Sequence, residues 1–263
     1  MKIGFIGTGN MARAIIGGIR KQDMIPAGEI IGSDKTQNAL DSVKKEFGIH
    51  TTLSNKQVVE DADVVVLAVK PIFFPEVIEE IKEVVGTKLI ISIAAGKTIE
   101  WIGNEFGREI KLIRCMPNTP ALVGEGCTAV CPNSLVTKEE EEFCLKLMGS
   151  FGKASVVPER LMDAVGAVSG SSPAFVFMFI EAMADAAVAA GMPRNQAYDF
   201  AAQAVYGSAK MVLETGKHPG ELKDMVCSPG GTTIEGVKVL EECGMRAAVM
   251  DALDACVEKS KLL

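Results

Sequence analysis

The chain has 263 residues, 48% of them hydrophobic, enough for one large domain or two modest ones to bury a core without disulfide staples. Its formal net charge is −7 and its acidic and basic residues are mixed along the chain instead of segregated into blocks, so no nucleic-acid partner is expected. The seven cysteines are odd in number and include no C-x-x-C pair, so neither a disulfide framework nor a metal site is expected, and reduced thiols point to the cytoplasm.

Met1-Lys2 passes directly into the apolar run Ile3 to Ile6, with no basic segment and cleavable apolar stretch ahead of it, so no export is expected. That run, spanning 2–7, is the first predicted strand, and Gly7-Thr8-Gly9-Asn10-Met11-Ala12 follows it at the mouth of a predicted helix over 10–21. A G-x-G-x-x-A turn between strand and helix suits a dinucleotide. Gly7 permits the tight turn, Gly9 lets a pyrophosphate approach the backbone, and Ala12 keeps helix close to strand. Unspent N–H groups at the helix start then face the anion.

The second strand, 29–33, ends in Ser33-Asp34-Lys35-Thr36 ahead of a helix over 36–47. Asp34 stands where an acid binds a ribose 2′-OH, which favours NAD, while Ser33, Lys35 and Thr36 surround it with donors suited to the 2′-phosphate of NADP. Asp34 serves equally well as the N-cap of the following helix. A helix over 55–61 precedes the strand 63–68, which closes in Ala68-Val69-Lys70-Pro71, and a further helix spans 72–85. Ligands of doubly wound sheets sit at the carboxyl ends of strands, so Lys70 is a candidate contact to cofactor or substrate. Ile93-Ala94-Ala95-Gly96 occupies the same level after the strand 88–93, where small side chains let a flat nicotinamide ring approach the backbone. After a helix over 98–106 and a strand over 110–115, Met116-Pro117-Asn118-Thr119-Pro120 fits a rigid loop of the same cleft, although plain turn chemistry also explains both loops. Strands over 127–131 and 153–157, with a helix over 137–149 between them, complete a doubly wound parallel sheet, a Rossmann-type α/β domain covering 1–158.

Beyond Pro158, β-branched runs vanish and Ala, Met, Leu and Glu dominate at helical spacing, so 159–263 is expected to be all helix. Gly191-Met192-Pro193, Lys217 to Gly220 and Ser228 to Gly231 are stop-and-restart signals. The apolar stretch Ala174 to Ala190 contains Glu181 and Asp185 and is shorter than the ~20 residues of a membrane span, so it is read as a buried helix and no membrane is expected. So many small residues bury little by themselves, and the helical half is expected to pack against another subunit.

Ser172 before Pro173, and the pair Thr232-Thr233 before Ile234-Glu235, read as N-caps. The second segment, Ser228-Pro229-Gly230-Gly231-Thr232-Thr233, offers more than a cap. Its N–H groups, those of Gly231 and Thr232 among them, and its hydroxyls suit the carboxylate of a small substrate. His50 and His218 are the only histidines, and neither stands on a candidate site loop.

Together, G-x-G-N-M-A, A-V-K-P, S-I-A-A-G, M-P-N-T-P-A-L-V, S-G-S-S-P-A and Lys223-Asp224-Met225-Val226-Cys227-Ser228-Pro229-Gly230-Gly231-Thr232-Thr233-Ile234 resemble pyrroline-5-carboxylate reductases from Lys2 to about Lys259. The resemblance implies reduction of 1-pyrroline-5-carboxylate to L-proline, the last step of proline biosynthesis, with NADPH or NADH as hydride donor. It implies cofactor contacts from Ile6, Gly7, Thr8, Gly9, Asn10 and Met11, from Ser33, Asp34, Lys35 and Thr36, from Asn55, from Ala68, Val69, Lys70 and Pro71, and from Ile93, Ala94 and Ala95. It implies that Ser228, Gly230, Gly231, Thr232 and Thr233 hold the substrate, with Thr233 catalytic beside the imine nitrogen. Homodimers through intertwined C-terminal helices, in some members assembled into larger rings, are implied as well. The chain departs from the family at Asp34, where many relatives carry Ser or another residue friendlier to a 2′-phosphate.

Two other functions are open to such a sequence. A short β-hydroxyacid dehydrogenase shares a Rossmann domain followed by helices, but its alcohol chemistry needs a proton carrier, and Met162 to Met192 contains no Lys, Arg or His. A non-catalytic dinucleotide sensor is the other. An iminium accepts hydride without a strong enzymatic acid, so the lack of acid–base groups suits imine reduction.

Overall fold

The computed structural model describes residues 1–262. Four strands, β1 (Ile3–Ile6), β2 (Ile30–Ser33), β4 (Val64–Leu67) and β5 (Leu89–Ser92), are buried at every position, as expected of parallel strands covered on both faces. Successive side chains enter opposite layers. Phe5, Val64 and Val66 pack in one core with Ile15, Ile16 and Ile19 of α1 (Asn10–Lys21) and with Leu147 and Met148 of α6 (Lys138–Gly149). Ile6, Val65 and Leu67 pack in the other with α3 (Asn55–Asp61), α4 (Phe74–Ile81) and α5 (Ile99–Phe106). α2 (Gln37–Phe47) completes the first layer through Val43.

The sheet has eight strands in the order β3-β2-β1-β4-β5-β6-β7-β8, with β3 (His50–Thr52), β6 (Lys111–Met116), β7 (Gly126–Pro132) and β8 (Gly152–Val156) added to those above. Every pairing is parallel except β6 with β7. A single 3₁₀ turn, Thr119–Val123, joins those two, and a connection so short can return the chain only antiparallel. The sheet is therefore doubly wound and Rossmann-like, with two reversed strands, β7 and β8, at one end and at the other an edge strand, β3, that the hydrophobic pattern does not announce.

Past Pro158 the chain is helical, as expected. A 3₁₀ turn (Glu159–Leu161), α7 (Met162–Val165) and a π-helical segment (Gly166–Ser171) run into α8 (Ser172–Ala189). Then follow α9 (Arg194–Thr215), α10 (Pro219–Val226), α11 (Thr232–Glu242) and α12 (Met245–Ser260). Three breaks fall at the expected Gly/Pro signals; a fourth, at Gly244 with φ +72°, separates α11 from α12. Ser172 does not cap a helix. The chain reaches it already helical, because the π segment continues into α8 and Asn118 Nδ2 donates to the Ser169 carbonyl at 2.9 Å within that segment.

Two compact units result: Met1–Gly170 together with the residues from Cys256 onward, and Ser171–Ala255. The first extends beyond 158 because Met162 packs on Ala129 and Cys131, and because Glu159 pairs with Arg114. In the second, the core is a small cluster of Ala184, Ala197 and Ala201. The expectation that Ala174 to Ala190 is buried fails within this chain: of α8 only Ala184 is buried, and Phe177 and Met178 are 63% and 68% exposed.

Candidate active site

Gly7 follows β1 with φ +94°, and a side chain there would meet the Ala68 carbonyl at 2.8 Å, so this turn needs glycine twice over. Gly9 is the opposite case, since a Cβ added there meets nothing within 4 Å. The backbone at Gly9 is open to an incoming group. Gly9 is also the N-cap residue of α1 and supplies no capping side chain, so the first-turn N–H groups are left for a ligand. Ala12 is buried against the sheet. These features fit a dinucleotide pyrophosphate.

Asp34 does not cap α2. Its Oδ2 accepts from both the Thr8 N–H at 3.0 Å and the Thr8 hydroxyl at 2.9 Å, while Thr36 caps the helix by accepting from the Ala39 N–H. The acid at the end of β2 is thereby tied to the glycine turn. Ser33, fully buried, donates to Asn55 Oδ1 at 2.6 Å, and Asn55 Nδ2 donates to Glu80 at 2.8 Å. Lys35 turns aside from Asp34, with its Nζ 3.3 Å from Glu76 and 4.3 Å from the centre of the Phe73 ring.

A cleft of about 550 Å³ opens at the carboxyl ends of β1, β2 and β4. Ile6, Gly7, Gly9, Asp34, Lys35, Asn55, Ala68, Val69 and Lys70 all line it. Of the other expected cofactor residues, Thr8 and Ser33 lie buried beneath the lining, Asn10 and Met11 begin α1, Thr36 caps α2, and Pro71 starts the 3₁₀ turn before α4. Ile93, Ala94 and Ala95 follow β5 at the same sheet edge without lining this cleft. The loop 117–120 also leaves that edge without lining it; Asn118 is spent on the Cys127 N–H and the Ser169 carbonyl. The far wall, formed by Leu53, Phe73, Glu76, Val77 and Glu80, carries no motif in the sequence.

In the second unit, Ser228 to Gly231 make a turn closed by the Gly231 N–H donating to the Ser228 carbonyl at 3.0 Å, with Gly230 at φ +66°. A side chain at Gly231 would lie 2.3 Å from Ser228 Oγ. Two expectations change. Thr232 and Thr233 are the first residues inside α11 and not its caps, and the Gly231 N–H is already engaged. The groups left without a helical acceptor are the N–H donors of Thr232, Thr233 and Ile234. His218 caps α10 by accepting from the Gly220 N–H at 3.0 Å. Among the described residues no cluster of His, Cys, Asp or Glu is fit to hold a metal ion.

Comparison with known proteins covers both halves. Residues 159–263 match the family model for pyrroline-5-carboxylate reductase dimerisation, and residues 2–96 match that for NADP oxidoreductase, coenzyme F420-dependent. The pyrroline-5-carboxylate reductase of Escherichia coli K12 is 53% identical over all of this chain and 98% of its own length. The solved reductase of Coxiella burnetii superposes with a TM-score of 0.93 at 38% identity, over 99% of this chain and 97% of that one. The Plasmodium falciparum pyrroline carboxylate reductase, solved with NADP bound, gives 0.91 at 34% identity, over 100% of this chain and 97% of the other. The chain belongs to the pyrroline-5-carboxylate reductase family.

Proposed function

We propose that the cleft of the first unit and the Ser228 to Thr233 segment divide the reduction of 1-pyrroline-5-carboxylate between them, the one holding the nicotinamide cofactor and the other the substrate. Open backbone at Gly9, beside an acid fixed at the end of β2, is the observation that carries the first half. Gly7, Gly9 and the start of α1 hold the pyrophosphate, Asp34 meets the adenosine ribose, and Ile93, Ala94 and Ala95 leave room for the nicotinamide ring. The bound cofactor supplies hydride to the imine carbon, and one proton reaches the ring nitrogen, giving L-proline and the oxidised dinucleotide.

The substrate carboxylate rests on the N–H groups of Thr232 and Thr233 at the start of α11, with Ser228, Gly230 and Gly231 shaping the turn beneath it. The Thr233 hydroxyl hydrogen-bonds the ring nitrogen as it gains amine character. No strong acid is required, because a cyclic imine is partly protonated near neutral pH.

Residues 159–263 act as the dimerisation domain. Apolar side chains left exposed on α8 and α9, such as Phe177, Met178 and Phe200, are what a second chain covers. By length and composition the helix Glu159–Ala189 is also apolar enough to cross a membrane, and we assign that character to the subunit interface instead. A ring of dimers is the larger assembly, and seven free thiols suit the cytoplasm.

Following nicotinamide absorbance with 1-pyrroline-5-carboxylate, and assaying the product as L-proline, tests the assignment. Turnover of both to equal extent is expected. A protein that binds the dinucleotide and forms no proline would overturn the reductase role.

A further inference from the structure

We propose that Glu76 sets cofactor choice by drawing Lys35 away from the ribose 2′ position, so that the adenosine end of the cleft favours NADH over NADPH. The inference rests on the assignment of the cleft to a nicotinamide dinucleotide and concerns which of the two it prefers.

An acid just past the second strand is the group that binds a ribose 2′-OH, and Asp34 is held in that place by two hydrogen bonds from Thr8. A 2′-phosphate would bring nearly two further negative charges to the same spot. It would need a cation close by. Lys35 adjoins Asp34 in sequence and lines the cleft, yet its ammonium sits between the Glu76 carboxylate, at 3.3 and 3.4 Å, and the face of Phe73. Glu80 lines the cleft as well, bound to Asn55. Three carboxylates, those of Asp34, Glu76 and Glu80, therefore border the space where two ammonium groups, those of Lys35 and Lys70, do.

The bland account of Glu76 is that an acid in the first turn of α4 complements the helix dipole. That account does not explain why it meets Lys35, 41 residues away, instead of water. Nor does stability explain it, since the two side chains are 61% and 68% exposed, and an ion pair so exposed contributes little. The same exposure means the pair can be removed without unfolding the protein.

Dissociation constants for NADPH and NADH, measured by nicotinamide fluorescence on the full-length enzyme without substrate, test the proposal in wild type, Glu76→Gln, Lys35→Ala and the double variant. Wild type is expected to bind NADH more tightly. Glu76→Gln is expected to shift the ratio of the two constants toward NADPH by about three- to tenfold, a modest factor because solvent screens charges this exposed. Lys35→Ala alone is expected to move NADPH affinity by less than about twofold, and to abolish the gain when added to Glu76→Gln, the coupling that a double-mutant cycle isolates. An unshifted ratio in Glu76→Gln, an equal loss from Lys35→Ala in both backgrounds, or tighter NADPH binding by wild type would each overturn it. Binding is read without turnover, so a failure of the reductase assignment would appear in the proline assay and not here.

Discussion

Thr8 and Asp34 are joined twice, the Asp34 carboxylate accepting at 3.0 Å from the Thr8 backbone and at 2.9 Å from its hydroxyl. The residue inside the glycine turn thereby orients the acid that we propose meets the ribose. Asp34→Ser is expected to raise the kcat/KM ratio for NADPH over NADH, and Thr8→Val, which removes one of the two donors, to weaken NADH binding by about three- to tenfold, the worth of about 1 kcal/mol. An unchanged ratio in Asp34→Ser would mean that the acid serves only the turn.

Glu159 gathers two donors from distant elements on one oxygen, the Ile99 N–H at 2.7 Å and Arg114 at 3.0 Å. Arg114 is 5% exposed, so losing its partner leaves a buried charge uncompensated. Glu159→Ala is expected to cost about 2–4 kcal/mol in denaturant unfolding. Glu159→Gln, which keeps an oxygen for Ile99, is expected to cost less. Equal stability of Glu159→Ala and wild type would show Arg114 to be solvated.

Sequence carried the parts of the site in which a local motif and its chemistry coincide. The turn Gly7 to Ala12, the Asp34 position and Ala68 to Lys70 all stand at strand ends that apolar runs make visible. The far wall had no such signal. Leu53 follows β3, whose His50-Thr51-Thr52 has no apolar run because the strand lies at the sheet edge, exposed or half-buried throughout. Phe73, Glu76 and Glu80 stand one helical turn apart, a spacing that many surface helices share, and their partners Lys35 and Asn55 are fixed only by tertiary packing. The expected cap at Ser172 failed for the same reason. Ser-Gly-Ser-Ser-Pro is a stop signal locally, yet Asn118 and the Met116 methyl, close to Gly166 and Gly170, sit against a segment that stays helical.

Cys115 and Cys144 are fully buried with their sulfur atoms 3.7 Å apart, and burial, with the Cys144 contact, pushes the Cys115 thiol well above its ordinary pKa. Thiolate, the reactive form, is therefore scarce there. In native protein a thiol reagent is expected to modify exposed Cys127 and to reach Cys115 and Cys144 only after denaturant. Peptide mapping that finds Cys115 modified as fast as Cys127 would contradict this.

Dimerisation is best probed where the chain leaves apolar side chains unpaired. Val188 packs in the cluster shared by α8 and α9, so a charge there would damage the fold itself, whereas Phe177, Met178 and Ala186 are exposed. Phe177→Arg or Ala186→Arg is expected to dissociate the dimer, at the cost of stability, because the apolar face of α8 then meets water. Light scattering decides: wild type running as a monomer at micromolar concentration would rule the interface out.

Thr233 stands second in α11, with Gly231 and not a threonine at the N-cap, so its hydroxyl is not spent on the helix end. Valine keeps the shape and branching and removes only that hydroxyl. If the hydroxyl serves the ring nitrogen, Thr233→Val is expected to lower kcat by roughly tenfold to a thousandfold, the equivalent of about 1.5–4 kcal/mol in the transition state. Cofactor affinity is expected to stay close to that of wild type, since the proposed dinucleotide cleft lies in the other unit. Thermal stability is expected to stay as well, because no cap is lost, where a capping threonine would have cost about 1 kcal/mol. Measuring turnover beside the unfolding temperature separates the two roles. A variant that keeps full turnover would remove Thr233 from catalysis, and one that loses stability in step with activity would return it to a structural role.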